Sequence, residues 1–217
     1  MESPKDFDPR LIAPFSMLII GPTQGGKTYL TKKIIQRRHE IIHPPVEKVV
    51  YCYAEELPDV FSELRQTVNN ITFHKGLPEE FGDDERTPHL YILDDLLLEA
   101  AKSKNVLGAF IRGSHHRNCS IIMLVQNAYH EGLCTMSRNC KYKIFFKNPT
   151  DTTSIKIQGR NMNGGYKNKY VEDSYNDAVS KPRGYLYIDL SQEQDDDVRL
   201  RNCIFPDDSC IVYMKKK

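Results

Sequence analysis

Several features that define other classes of protein are missing from this 217-residue sequence. No apolar run reaches the roughly 18 residues that a membrane-spanning helix needs, so we expect a soluble, unsecreted protein that requires no membrane. Thirty basic residues against 29 acidic ones leave a net charge of +1, which excludes a global basic field. Any contact with nucleic acid must therefore be local.

The six cysteines include no CxxC pair. Several of them lie in apolar, strand-like runs, where a thiol packs as a small hydrophobic group. We therefore predict reduced, structural cysteines in an intracellular protein. The six are Cys52, Cys119, Cys134, Cys140, Cys203 and Cys210.

The alternation of strand-like and helix-like segments predicts an α/β fold in a single domain, residues 1–217. The first strands are nearly continuous hydrophobic runs, which is typical of parallel strands covered by helices on both faces. We therefore predict three layers around a mostly parallel central sheet. Strands are expected at 15–20, 46–53, 89–93, 120–126, 142–146 and 184–190, and helical spacing is found at 27–41 and 105–113.

Four stretches fall outside this pattern. Residues 1–14 are predicted to be an N-terminal extension, and residues 74–88 a polar loop rich in helix breakers. The polar segment 159–183 is predicted to be an insertion, a short helical excursion or a pore-loop region. Residues 211–217 are predicted to form the end of a strand and a basic tail.

The sequence "GPTQGGKT" at 21–28 matches the G-x-x-x-x-G-K-[ST] frame, with a strand before it and a helix after it. Glycines let backbone N–H groups surround phosphates, the lysine reaches the β- and γ-phosphates, and the hydroxyl ligates Mg²⁺. We therefore predict a P-loop that binds ATP and Mg²⁺, with Lys27 catalytic and Thr28 a metal ligand, in a RecA/ASCE-like fold. The predicted binding residues are Gly21, Pro22, Thr23, Gln24, Gly25, Gly26, Lys27, Thr28 and Tyr29.

Two adjacent carboxylates end the apolar strand in "LYILDDL", residues 90–96. Asp94 is predicted to hold Mg²⁺, and Asp95 to act as the general base for the attacking water. GTPases and nucleotide kinases do not need the second carboxylate, and the sequence has no N-K-x-D base reader. The alternative is that the second carboxylate is a solvated strand-end acid.

The next strand ends in Gln126 and Asn127, and Gln126 is predicted to sense the γ-phosphate. The alternative is that both amides begin a surface turn. Upstream, "RGSHHRN" carries Arg112, Arg117 and two histidines, a weak signal for zinc because no second ligand pair accompanies it.

Taken together, "GPTQGGKT", "YILDD", "GSHHRNCSIIMLVQN", "YKIFFKNPTD", "GYLYIDL" and "RLRNCIFPDD" resemble the genome-packaging ATPases of the FtsK/HerA superfamily. Within it the resemblance is to those of Polinton-like elements, adintoviruses and virophages, and it runs from about residue 15 to 208. The resemblance implies a homo-oligomeric ring, a pentamer or hexamer, that moves double-stranded DNA into a preformed capsid. It also implies a capsid vertex or portal-like partner, and a location inside the host cell, in nucleus or cytoplasm, or at the virion.

The sequence departs from this family at two positions. The second acid is commonly Glu in the superfamily and is Asp95 here, and Cys134 stands where an arginine is expected ahead of "TMS". The resemblance places an arginine finger between the helix and the sensor strand, so Arg117 is the first candidate and Arg138 the second. Either would act on a neighbouring subunit's γ-phosphate.

Basic segments that could contact DNA are the tail 215–217, "KKIIQRRH" after the P-loop, and the loop 160–170. The alternative is that these are ordinary solvated charges. Two other functions also remain open: another P-loop ATPase such as a small helicase or a nucleotide kinase, and a non-hydrolysing assembly protein.

Overall fold

The computed structural model describes residues 8–82, 87–113, 118–129, 132–163 and 169–215. Within them, nine strands form one sheet and two short strands pair separately. The strands are β1 (Leu11–Ile12), β2 (Ser16–Ile20), β3 (Ile42–His43), β4 (Lys48–Tyr53), β5 (Ile71–Lys75), β6 (His89–Asp94), β7 (Cys119–Val125), β8 (Tyr142–Phe146), β9 (Tyr185–Asp189), β10 (Leu200–Arg201) and β11 (Val212–Tyr213).

The large sheet has the strand order β11-β10-β9-β8-β2-β7-β6-β4-β5. Its six neighbouring strands from β8 to β5 are parallel, and β9, β10 and β11 each run antiparallel to the strand before them. The strand that leads into the P-loop, β2, therefore lies between β7 and β8, and β7 separates it from the strand that ends in Asp94.

Helices cover both faces of this sheet. They are α1 (Lys27–Gln36), α2 (Arg38–Ile41), α3 (Pro58–Thr67), α4 (Leu97–Lys102), α5 (Lys104–Gly108), α6 (Cys134–Asn139), α7 (Thr153–Asn163) and α8 (Tyr170–Ala178), with a π-helical turn at Ala109–Gly113 and a 3₁₀ turn at Asp196–Val198. Two apolar cores result, because successive side chains of a strand point to opposite faces.

The central strand β2 shows how the two cores arise. All five of its residues are buried. Met17 and Ile19 pack with Ile34 of α1 in one core, whereas Leu18 and Ile20 pack in the other, which also contains residues of α4 to α8. The predicted three-layer α/β fold with a mostly parallel sheet is confirmed.

The six predicted strands all exist, with ends displaced by at most two residues. Pattern reasoning missed α3 and β5. The edge strand β5 has little buried surface, so its hydrophobic pattern is weak, and its last two residues lie in the predicted loop 74–88. Parts of α7 and α8 occupy the described portion of 159–183.

The prediction that all six cysteines are reduced is wrong for two of them. Cys203 and Cys210 form a disulfide that closes the loop between β10 and β11, with Cα atoms 5.1 Å apart. A separation of seven residues matches no familiar cysteine motif, so the sequence did not predict this pair. The two cysteines meet because the chain reverses direction between β10 and β11. Cys52, Cys119 and Cys140 are buried, as expected. Among the described helices, none combines the length and apolar character needed to cross a membrane.

Candidate active site

The P-loop, the acidic pair and Gln126 lie at the carboxyl edge of the parallel sheet. The P-loop follows β2, Gln126 follows β7, and Asp94 is the last residue of β6. Because these three strands are adjacent and parallel, their carboxyl ends converge on one crevice, which is where open α/β sheets bind ligands.

The P-loop backbone has the conformation that its glycines permit. Gly26 has φ 107° and Gln24 has φ 62°, and the Gly25 N–H donates to the Pro22 carbonyl at 3.1 Å. A Cβ atom on Gly21 would lie 2.8 Å from Cβ of Phe146, so only glycine fits there. Helix α1 begins immediately at Lys27, and its first N–H groups lack helical partners and can bind an anion.

Lys27 folds back onto this loop. Its Nζ donates to the carbonyl oxygens of Gly21 at 2.8 Å and Pro22 at 2.9 Å. Burial lowers the pKa of Lys27, and the charges of Asp94 and Asp95 oppose that shift. The lysine therefore lies between the P-loop and the acidic pair, where a phosphate could compete for its hydrogen bonds.

Asp94 is held by a tyrosine that the sequence did not reveal. The Tyr51 hydroxyl, fully buried on β4, donates to Asp94 Oδ2 at 2.7 Å. Burial raises the pKa of Asp94, the Tyr51 hydrogen bond and the Lys27 charge lower it, and Asp95 raises it. The alternation in "YCY" indicates a strand, but only the pairing of β4 with β6 brings Tyr51 to the carboxylate.

Asp95 has a different environment. It is exposed, and its φ of 57° places it in the left-handed region, so the chain turns sharply as it leaves β6. This turn separates the two adjacent carboxylates into one strand-end group and one solvent-facing group.

The donor set suits a magnesium ion. Thr28 offers a hydroxyl and Asp94 a carboxylate, both hard oxygen ligands. In the described part of the chain, no cluster of three or more His, Cys, Asp or Glu side chains could hold a metal by itself. An ion held by few protein ligands and completed by phosphate oxygens and water is the usual arrangement for Mg²⁺ with nucleotides.

The two amides after β7 separate into different roles. Asn127 Oδ1 accepts from the Tyr129 N–H at 2.7 Å and the Ser154 hydroxyl at 3.1 Å, so this residue forms the turn. Gln126 is exposed at the crevice between the P-loop strand and the acidic strand. It therefore lies where the predicted phosphate sensor would be.

Only one of the two arginine-finger candidates, Arg138, lies in the described part of the chain. Arg117, like both histidines of "SHHRN", lies outside the described residues. Arg138 is exposed on α6, beside Ser16 and Lys141, where β2 and β8 begin. That is the sheet edge opposite the P-loop, so Arg138 cannot reach the P-loop of its own subunit.

The basic segments proposed for DNA contact are only partly described. In the helical segment, Lys32 pairs with Glu63 at 2.6 Å, Arg37 pairs with Asp207 at 2.6 Å, and Arg38 is buried. These three cations therefore make contacts within the fold. Residues 164–168 of the loop and 216–217 of the tail lie outside the described part of the chain.

Comparison with known proteins extends this description. No protein-family model matches the sequence, and no curated protein matches it. The genome packaging NTPase B204 of Sulfolobus turreted icosahedral virus 2, solved with ATP-γS, superposes with a TM-score of 0.53 at 13% identity. That match covers 83% of this chain and 94% of B204. The fold is that of a P-loop NTPase.

Two further B204 structures show the same likeness. The sulfate complex gives a TM-score of 0.53 at 13% identity over 86% of this chain and 95% of B204. The AMP complex gives 0.52 at 12% identity over 87% and 96%. These structures come from a turreted icosahedral virus and not from a Polinton-like element, adintovirus or virophage. The predicted resemblance to the ATPases of those three groups therefore remains a prediction.

Proposed function

We propose that this protein is an ATPase that packages double-stranded DNA into a viral capsid. One observation carries the proposal: Lys27 and Thr28 of a P-loop lie at the same sheet edge as Asp94. The fold in which they lie is shared with a genome packaging NTPase. The nucleotide complexes of B204 support ATP as the ligand.

Each residue has a distinct role in the proposed hydrolysis. Lys27 exchanges its carbonyl partners for the β- and γ-phosphates, while Thr28 and Asp94 hold Mg²⁺. When bound, the ion neutralises charge on the phosphate oxygens. Asp95 accepts the proton of the attacking water, and Gln126 contacts the γ-phosphate.

The active form is proposed to be a homo-oligomeric ring, a pentamer or hexamer. Arg117 is the first candidate for a finger that enters the neighbouring subunit's site. The position of Arg138 at the opposite sheet edge is compatible with action in trans. The ring would grip DNA phosphates without reading their sequence and would dock on a capsid vertex or portal-like protein.

We also propose that the protein works inside the host cell, in nucleus or cytoplasm, and associates with the virion. The four free cysteines support this proposal, whereas the Cys203–Cys210 disulfide opposes it, because disulfides are typical of oxidising compartments.

The decisive test of the function is phosphate release with and without long duplex DNA. We expect hydrolysis that duplex DNA stimulates and that Lys27→Ala abolishes, with the oligomer measured by mass in a non-hydrolysable ATP analogue. Stimulation by single strands alone would indicate a helicase, and transfer to a small acceptor would indicate a kinase. Absence of hydrolysis with every nucleic acid would contradict the proposal.

The trans role of Arg117 is tested by mixing variants. Arg117→Ala should bind ATP and hydrolyse it slowly, and Asp95→Asn should bind ATP and fail to hydrolyse it, because each loses a transition-state interaction. A mixed ring pairs an intact acid with an intact arginine at some interfaces, so mixing should restore turnover. Background activity at every mixing ratio would refute the role of Arg117, and Arg138→Ala would then be used in the same design.

A further inference from the structure

A cleft of about 160 Å³ adjoins the P-loop at Gly26. It lies toward β8 and β9, on the side of β2 away from Asp94. Its aromatic walls come from four elements that are distant in sequence: α1, β8, β9 and the disulfide-closed loop. They are Tyr29, Phe146, Tyr185 and Phe205.

The aromatic walls directly contact the P-loop. A Cβ atom on Gly26 would lie 3.2 Å from the Phe146 ring, so this ring packs against the P-loop backbone. Phe146 and Tyr185 are cross-strand neighbours with ring centroids 5.6 Å apart. The cleft is therefore continuous with the place where a nucleotide's phosphates would bind.

Cations flank the aromatic rings. The Arg183 guanidinium lies 5.2 Å from the centre of the Tyr29 ring, and Lys33 Nζ lies 4.6 Å from that of Phe205. Tyr29 is 49% exposed although it lies in the first turn of an otherwise packed helix. Aromatic and guanidinium faces both stack on nucleobases, and the exposed Tyr29 ring is available for such a contact.

The hydroxyl of Tyr185 is buried and poorly hydrogen-bonded. The side chain is 9% exposed, and its hydroxyl makes no hydrogen bond of good geometry with the described residues. Burial and the Asp208 carboxylate raise the pKa of Tyr185, a weak contact with the Ile204 backbone lowers it, and Asp208 also lines the cleft. A buried hydroxyl without a partner costs free energy that a polar ligand atom would recover.

We propose that this cleft binds the purine base of the nucleotide whose phosphates occupy the P-loop. Its volume is below the roughly 300–1,000 Å³ of a site for a whole drug-sized ligand, which suits one planar fragment of a larger molecule. The base stacks on the aromatic walls, and a polar atom of the base or its sugar bonds to the Tyr185 hydroxyl. The inference rests on the proposed function, because the P-loop must first bind the phosphates.

The test compares a ligand that has a base with one that has none. Binding of the β,γ-methylene analogue of ATP and of inorganic tripolyphosphate is measured by calorimetry for the parent protein, Tyr29→Ala and Tyr185→Phe. The matched control is Tyr187→Phe, which removes another buried hydroxyl that makes no hydrogen bond of good geometry with the described residues, on the same strand but outside the cleft. Lys27→Ala tests the phosphate site itself.

We expect Tyr29→Ala to weaken the ATP analogue about tenfold, since it removes a stacking surface. Tyr185→Phe should weaken it about three- to tenfold through one lost hydrogen bond. Neither should change tripolyphosphate affinity by more than about twofold, and Tyr187→Phe should change neither ligand.

Two results would overturn the inference. Both cleft variants could bind the ATP analogue as the parent does, or they could weaken both ligands equally, which would mean that the cleft only supports the P-loop. A parent protein that binds neither ligand, or a Lys27→Ala variant that binds both unchanged, would instead refute the proposed function.

Discussion

The hydrogen bond from Tyr51 to Asp94 provides a stringent test of how this site is built. Tyr51→Phe removes one oxygen atom and leaves the ring packed between Phe61 and Phe73. The apolar core should therefore keep its shape. What changes is a 2.7 Å hydrogen bond to a carboxylate that is itself partly buried.

The expected magnitudes follow from that contact. Leaving a buried acceptor without its donor costs about 1–2 kcal/mol, at the lower end of the range because water can partly replace the hydroxyl at Asp94. For a chain of this size that corresponds to a fall in Tm of about 3–6 °C. Loss of a group that orients a metal ligand should also raise the Mg²⁺ concentration needed for activity by about tenfold.

The pH dependence gives a readout that a purely structural role would not change. The Tyr51 hydrogen bond lowers the pKa of Asp94 by favouring the charged form. Its removal should raise that pKa further, so the acid limb of kcat/KM should move to higher pH. At pH values well above the acid limb, Asp94 is ionised in both proteins. The remaining difference in activity should then come only from the less well oriented Asp94 carboxylate.

The assay is phosphate release against pH and Mg²⁺ concentration, with Tm measured on the same samples. Tyr53→Phe is the matched control, because its hydroxyl is on the same strand and, among the described residues, donates to Glu56 at 3.3 Å and not to Asp94. We expect Tyr53→Phe to behave as the parent protein in all three measurements. An unchanged acid limb and Mg²⁺ dependence in Tyr51→Phe, whatever its Tm, would refute the positioning role of Tyr51.

Three further predictions concern the acids, the lysine and the disulfide. Asp94→Asn should abolish Mg-ATP binding yet slightly raise the Tm of the nucleotide-free protein, because it removes a carboxylate whose pKa burial raises. Asp95→Asn should bind Mg-ATP and fail to hydrolyse it. Equal nucleotide affinities of the two variants in calorimetry would contradict the separate roles of the two acids. Lys27→Ala should lower turnover at least about a hundredfold in the phosphate-release assay, and unchanged turnover would refute the P-loop assignment. Replacing Cys203 and Cys210 together by serine should cost about 2 kcal/mol of unfolding free energy in a urea titration, and no change would mean that this loop is held by its other contacts.

The sequence was sufficient for features that depend on neighbouring residues. Four continuous apolar residues before Gly21 predict a buried strand, and the spacing of Gly26, Lys27 and Thr28 places a helix start directly after an anion-binding turn. The same locality explains why the end of β6 at Asp94 was predicted to within one residue. Patterns of this kind do not depend on how the elements pack together, so they can be recognised without knowledge of the tertiary structure.

Only the tertiary structure decided which distant residues meet. The insertion of β7 between β2 and β6 puts Gln126 between the P-loop and Asp94, and the pairing of β4 with β6 delivers Tyr51 to that carboxylate. The aromatic cleft beside Gly26 likewise joins segments that are far apart along the chain, from Tyr29 to Phe205. Such contacts depend on strand order and on loop closure, and no local pattern of residues encodes either of them.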